Sequence, residues 1–153
     1  MAMTSAKLKD GLVALGLYSN EADAIEAWAS AWDAYFAEAA SNSLTVLPAA
    51  LVPAKAAMKT AMVGLKVTGS ASLQAGIIAW WGALPPAGTF TGATAIAPPP
   101  TLSGIAAALS PVFLSNRGKS KADAAQAVAD VLHTQNLGGQ ATFPPPVGPM
   151  PIL

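Results

Sequence analysis

Between Lys66 and Arg117 the chain carries no charged side chain, yet glycine and proline interrupt the stretch too often for any part of it to cross a bilayer as one helix. Such a segment has to be buried against protein. The whole composition leans the same way: 10% of residues are charged, against about 25% in ordinary soluble domains, and 53% are hydrophobic, mostly through alanine. Little of this surface is built to face water. At 153 residues, a single domain with one core is expected.

Eight basic and eight acidic residues cancel, so no net field steers the protein to nucleic acid or to an anionic membrane. Neither is an expected partner. The absence of cysteine excludes a disulfide framework and thiolate metal sites. The N-terminus, with Lys7, Lys9 and Asp10 before a short apolar run, lacks the features of a signal peptide, and a product made in the cytoplasm is expected.

Helical spacing organises most of the chain. Leu8, Leu12 and Leu15 make a stripe over Ser5 to Leu17. A helix from Asn20 to Ala40 is the best specified: Ser19 or Asn20 caps it, Glu21 and Asp23 suit the dipole of its first turn, and Ile25, Trp28, Trp32 and Tyr35 or Phe36 line one face. Pro48 and Pro53 precede or open a third helix reaching about Lys66. Its Lys55, Lys59 and Lys66 face the acidic set of the preceding helix if the two lie side by side. Ser70 caps a fourth, central helix to Leu84, apolar nearly all round. Leu102, Ile105, Leu109 and Val112 or Phe113 mark a fifth that Pro111 bends or closes. Ser120 and Asp123 then have capping-box spacing at the head of Lys121 to His133. Ala22, Asp23, Ala24, Ala27 and Ala29 recur as Ala122, Asp123, Ala124, Ala127 and Ala129, either an echo of duplication or the chance likeness of alanine-rich helices.

The expected fold is all-α, five or six short helices in a compact bundle. Residues 1–139 form the helical domain, with an extended Pro-, Gly- and Thr-rich connector at 85–100, and residues 140–153 form an extended Pro-rich C-terminal arm with no internal means of pairing its backbone.

No set of residues forms a catalytic, cofactor-binding or metal-ligating constellation. His133 is the single histidine and sits in a last helical turn, where it serves the carbonyls and the dipole. Glu21, Asp23 and Glu26 lack further ligands for a cation. The glycine pairs match no phosphate-cradling pattern. Adjacent Trp80 and Trp81 diverge by about 100° around a helix, so one serves the core while the other reaches a neighbouring subunit. The candidate interface residues are Trp80, Trp81, Phe90, Phe143, Met150, Ile152 and Leu153, large apolar groups in the segments least able to bury them alone.

The run ASLQAGIIAWWGAL from Ala71 to Leu84, the connector FTGATAIAPPP from Phe90 to Pro100 and the terminus ATFPPPVGPMPIL resemble small Ala-, Gly- and Pro-rich virion structural proteins of tailed bacteriophages and phage-like particles. The resemblance implies a tail, neck, baseplate or capsid accessory role in a particle assembled from products of the bacterial cytoplasm. It assigns a role to no single residue. The expected function is a non-enzymatic structural subunit whose partners are other subunits of the particle or copies of itself. The alternative is a small membrane-active protein, a pore former or lysis factor, whose uncharged middle inserts as helical hairpins. A small enzyme borrowing a partner's residues is a third reading that nothing in the sequence promotes.

Overall fold

The computed structural model describes residues 2–16 and 20–153. Leu17, expected in the first helix, and Ser19, a possible cap, lie outside the described residues. The first helix, α1 (Ser5–Ala14), starts where the Thr4 hydroxyl accepts the Lys7 amide at 3.3 Å. In α2 (Glu21–Phe36) the cap is Asn20, whose Oδ1 accepts the Asp23 amide at 2.8 Å while its Nδ2 donates to the Asp23 carboxylate at 2.6 Å.

That helix stops four residues before the expected Ala40. Beyond it a tight hairpin forms from β1 (Ala40–Ser41) and β2 (Leu44–Thr45), with Asn42 and Ser43 turning at φ 50° and 63°. Two successive positive φ values make the turn whose twist matches paired strands.

The third expected helix is two. α3 (Pro48–Ala61) ends before Gly64, which takes φ 85°, and a single turn, α4 (Leu65–Thr68), follows. Glu21 of α2 secures the break: its carboxylate accepts the Gly64 amide at 2.8 Å and the Lys66 amide at 3.3 Å. The central helix α5 (Ser70–Gly82) is present, but Ser70 does not cap it; its hydroxyl pairs with that of Ser110 at 3.2 Å.

A 3-10 turn at Leu102–Gly104 leads into α6 (Ile105–Ser115), which carries Pro111 inside it without closing there. At the head of α7 (Lys121–Asn136), Ser120 accepts the Asp123 amide at 3.1 Å and donates to its carboxylate at 2.7 Å, as the spacing predicts.

The C-terminal arm is the main correction. The connector contributes β3 (Ala95–Ala97), and the tail folds back as β4 (Gln140–Phe143) and β5 (Gly148–Pro151), giving an antiparallel sheet in the order β3-β4-β5. The tail's backbone is therefore paired within the chain. Its prolines allow this by position. The Ile152 amide points inward to the Gly139 carbonyl at 2.9 Å, and the next amide, of Leu153, points outward to the Ala40 carbonyl at 2.9 Å. Pro149 and Pro151 share the outward parity of Leu153, so their missing N–H groups fall on the outer side of an edge strand, where no ladder bond is lost.

The fold is thus mostly helical, with seven α-helices and two small antiparallel sheets among the described residues, and not purely all-α. Both α2 and α7 pack on α1, while α3 and α6 flank α5. The centre is aromatic: Phe36 lies 4.2 Å from Trp80 and 5.2 Å from Trp81 between ring centroids, and Trp32 meets Trp80 edge-on at 6.3 Å. The edge-to-face geometry is the one ring quadrupoles favour. No helix among the described residues is long and apolar enough to cross a membrane, so the inserting hairpins of the membrane-active alternative are not found there.

Candidate functional site

Five of the seven residues expected at an interface are buried in this chain's own core: Trp80, Trp81, Phe90, Phe143 and Ile152. Met150 is half-buried, and Leu153 alone stays open, at 54% exposure. The premise that these segments cannot bury their own side chains is overturned. Two divergent faces of α5 both find cover, because α2 lies over Trp80 while the start of β4 lies over Trp81. Gly139 makes the second contact possible: a Cβ there would stand 2.6 Å from Cη2 of the Trp81 indole.

Trp81 also begins a chain of polar contacts through the core. Its Nε1–H donates to Asn136 Oδ1 at 2.8 Å, Asn136 Nδ2 donates to the Tyr35 hydroxyl at 3.4 Å, and that hydroxyl lies 2.7 Å from His133 Nδ1. The donors run in one direction when Tyr35 donates to a neutral imidazole whose proton is on Nε2. Burial pushes the Tyr35 phenol up to about 12, with the Asn136 bond pulling slightly back. Burial also lowers His133, partly offset by the Asp130 charge. Both shifts favour the neutral forms the chain requires. The arrangement fixes the packing of α2, α5 and α7; the expected role of His133 at carbonyls of its own helix is replaced by this contact with Tyr35.

Asn136 lies beyond the expected end of α7 at His133. A better signal exists in the sequence, since it stands four residues after Leu132 on the buried stripe of Ala125, Val128, Ala129 and Leu132. A polar residue on such a stripe needs a buried partner.

The acidic and basic helices do lie side by side. Glu26 receives Lys55 at 2.7 Å and Lys59 at 2.6 Å, and Lys55 also reaches the Ser30 hydroxyl at 2.9 Å. The hydrogen bonds from Lys55 and then Lys59 hold the Glu26 carboxyl down at about 2. These groups are largely open to solvent, where such pairs contribute little. Nearby, burial raises Asp33, opposed by the Lys55 charge and the proximity of Trp80, although neither Asp33 Oδ1 nor Trp80 Nε1 has a hydrogen-bond partner among the described residues. Among the described residues, no three His, Cys, Asp or Glu side chains gather as a metal site would require.

The exposed apolar groups lie elsewhere. Val63 is 73% exposed, Val67 88% and Leu114 61%. Helices α5 and α6 run antiparallel, with the Gln74 side chain receiving the Ala106 amide at 2.8 Å and Ser70 meeting Ser110 one turn further along each helix. Leu114 follows Ser110 by another turn, and Val67 precedes Ser70. The Val63 carbonyl is tied to the same end by the Ser72 hydroxyl at 3.4 Å. These three aliphatic side chains stand open on short segments near the joined ends of α5 and α6, whose isolated hydrophobicity carried no warning at the sequence level. Compared with known proteins, the chain matches no family model, no curated relative and no solved structure.

Proposed function

We propose that this protein is a non-enzymatic structural subunit of a large protein assembly, of the phage or phage-like virion kind that its Ala-, Gly- and Pro-rich segments resemble. The observation that carries the reading is the set of Val63, Val67 and Leu114, apolar and open in a chain where charge is scarce. Exposed aliphatic groups that gather into one patch mark contact surfaces, and these three lie on segments that meet near the ends of α5 and α6. The role first expected of the tail passes to these side chains, while in the tail Val147 and Leu153 are the large aliphatic residues still exposed.

The test is sedimentation of the native protein from its source, together with a Val67→Asp, Leu114→Asp double variant. The wild type should travel with a particle far heavier than one chain. The double variant should keep its circular dichroism spectrum, because substitutions at open positions shift stability by only about 0.5 kcal/mol, and should disappear from the heavy fraction. Slow migration of the wild type as a monomer, or normal incorporation of the variant, would refute the proposal.

A further inference from the structure

The polar chain from Trp81 to His133 has a fixed direction, set at its buried end. An indole nitrogen only donates, so Trp81 obliges Asn136 to present Oδ1 at 2.8 Å. The two Nδ2 hydrogens of Asn136 then go to the Tyr35 hydroxyl, 3.4 Å away, and to the Met3 sulfur, 3.6 Å away. Turning the amide over would set Nδ2 against the indole N–H. Tyr35 is fully buried, and its hydroxyl takes one hydrogen and sends its own to His133 Nδ1 at 2.7 Å. Three contacts hold three hydrogens.

Protonation of His133 adds a fourth. With both ring nitrogens donating, two donor-only groups face each other across Asn136 and Tyr35, and one contact has to break. Whichever breaks, a buried N–H or O–H loses its acceptor, because the Tyr35 hydroxyl meets only Asn136 and His133 among the described residues. The proton has access, since His133 is only half-buried.

The charges around the imidazole do not undo this. On its own helix, exposed Asp130 attracts the imidazolium away from Tyr35. Helix α1 carries Lys7, Lys9 and Asp10, with Lys7 held by Glu38 at 3.0 Å. Of the α2 carboxylates, Glu21 holds the Gly64 amide, Asp23 meets Asn20, Glu26 holds Lys55 and Lys59, and Asp33 lies toward Trp80. Helix α6, the 3-10 turn before it and the tail have no charged side chain.

The C-terminal sheet hangs on this chain. Helix α7 ends at Asn136, Gly139 lies against the Trp81 ring three residues later, and the Gly139 carbonyl takes the Ile152 amide at 2.9 Å. We propose that His133 is a proton-operated latch on that sheet: protonation breaks the chain at Tyr35 and raises the fraction of molecules in which β4 and β5 stand off Trp81, uncovering Trp81, Phe143 and Ile152. The inference does not depend on the assembly reading, because opening is measured on the isolated chain.

Native-state hydrogen exchange of the full-length protein, followed by NMR at pH 7 and pH 5.5 and corrected for the intrinsic pH dependence of exchange, reads the opening. In the open form His133 titrates at its ordinary 6.5, so one pH unit lower the opening constant rises by up to about tenfold. Protection of the Ile152 amide and of the Trp81 Nε1–H should therefore fall by about three- to tenfold. The Met62 amide, bonded to the Met58 carbonyl at 3.0 Å, should keep its protection. His133→Asn sets an amide oxygen near the place of Nδ1, an acceptor at every pH, and should remove the step. Tyr35→Phe keeps the imidazole but leaves no hydroxyl to strand, and should remove it too. A step that survives Tyr35→Phe would assign it to burial of the imidazole alone and overturn the latch. So would unchanged protection of Ile152 at pH 5.5, or an equal fall at Met62, which would make the response global.

Discussion

Breaking the bond between Trp81 and Asn136 separately and jointly tests whether the polar chain holds the core together. Asn136→Leu keeps the side chain's shape but leaves the Trp81 Nε1–H buried without the acceptor it now has at 2.8 Å. A buried donor stranded this way costs about 1–3 kcal/mol. The Tyr35 hydroxyl loses only a long 3.4 Å contact and keeps His133, so it adds little. Trp81→Phe strands Asn136 Oδ1 at a similar cost and also removes part of a ring packed on Phe36 and Gly139, adding about 1–2 kcal/mol for the space left. In the double variant neither partner is stranded and only the packing loss remains. The double variant should therefore be less destabilised than the sum of the single ones by the two stranding costs together, about 2–6 kcal/mol, well beyond the ~0.5 kcal/mol scatter of independent sites. Urea denaturation followed by far-ultraviolet circular dichroism reads this directly, since a slope near 2 kcal/mol/M converts it to about 1–3 M of midpoint. Additive single effects in variants that fold cooperatively would refute the chain of donors.

Two further outcomes follow from the same core. Because burial lowers His133 below its usual 6.5, the unfolded chain takes up a proton there first; its stabilising contribution is whole above pH 6.5 and is lost as pH falls through the depressed folded value. Urea midpoints at pH 7 and pH 5.5 should thus fall more for the wild type than for His133→Gln, and parallel falls would remove His133 from the explanation. Ile152→Ala should cost about 2–5 kcal/mol, as for a buried aliphatic side chain in any core, and thermal unfolding that leaves the midpoint unchanged would mean the tail does not pack as the sheet requires.

What the sequence disclosed was local. Asn20 with Asp23 and Ser120 with Asp123 place their caps within one turn, and the structure starts α2 and α7 at those points. The facing of Glu26 by Lys55 and Lys59 was legible too, because two opposite charge sets on consecutive helices have a short route to one another. The tail was not, since β3 and β4 meet across more than forty residues of chain, with Ala95 opposite Thr142, and no periodicity in either segment names the other. The exposure of Val63, Val67 and Leu114 was missed for a related reason: exposure is a property of the folded surface, and single residues on short segments give no pattern from which to read it.

The parity of the prolines changes what the terminus can do. An extended Pro-rich arm reads as a docking element because its five prolines lack donors, but here Pro144, Pro145 and Pro146 fall in the turn and Pro149 and Pro151 on the outer side, while Gly148, Met150 and Ile152 keep inward parity toward β4. The same alternation that makes the tail pair internally leaves its outer edge poor in donors, so a second chain adding itself there as a strand would meet Pro149 and Pro151 where it needs N–H groups. The outward amide of Leu153 is already taken by Ala40. Further sheet growth is thereby blocked on that side.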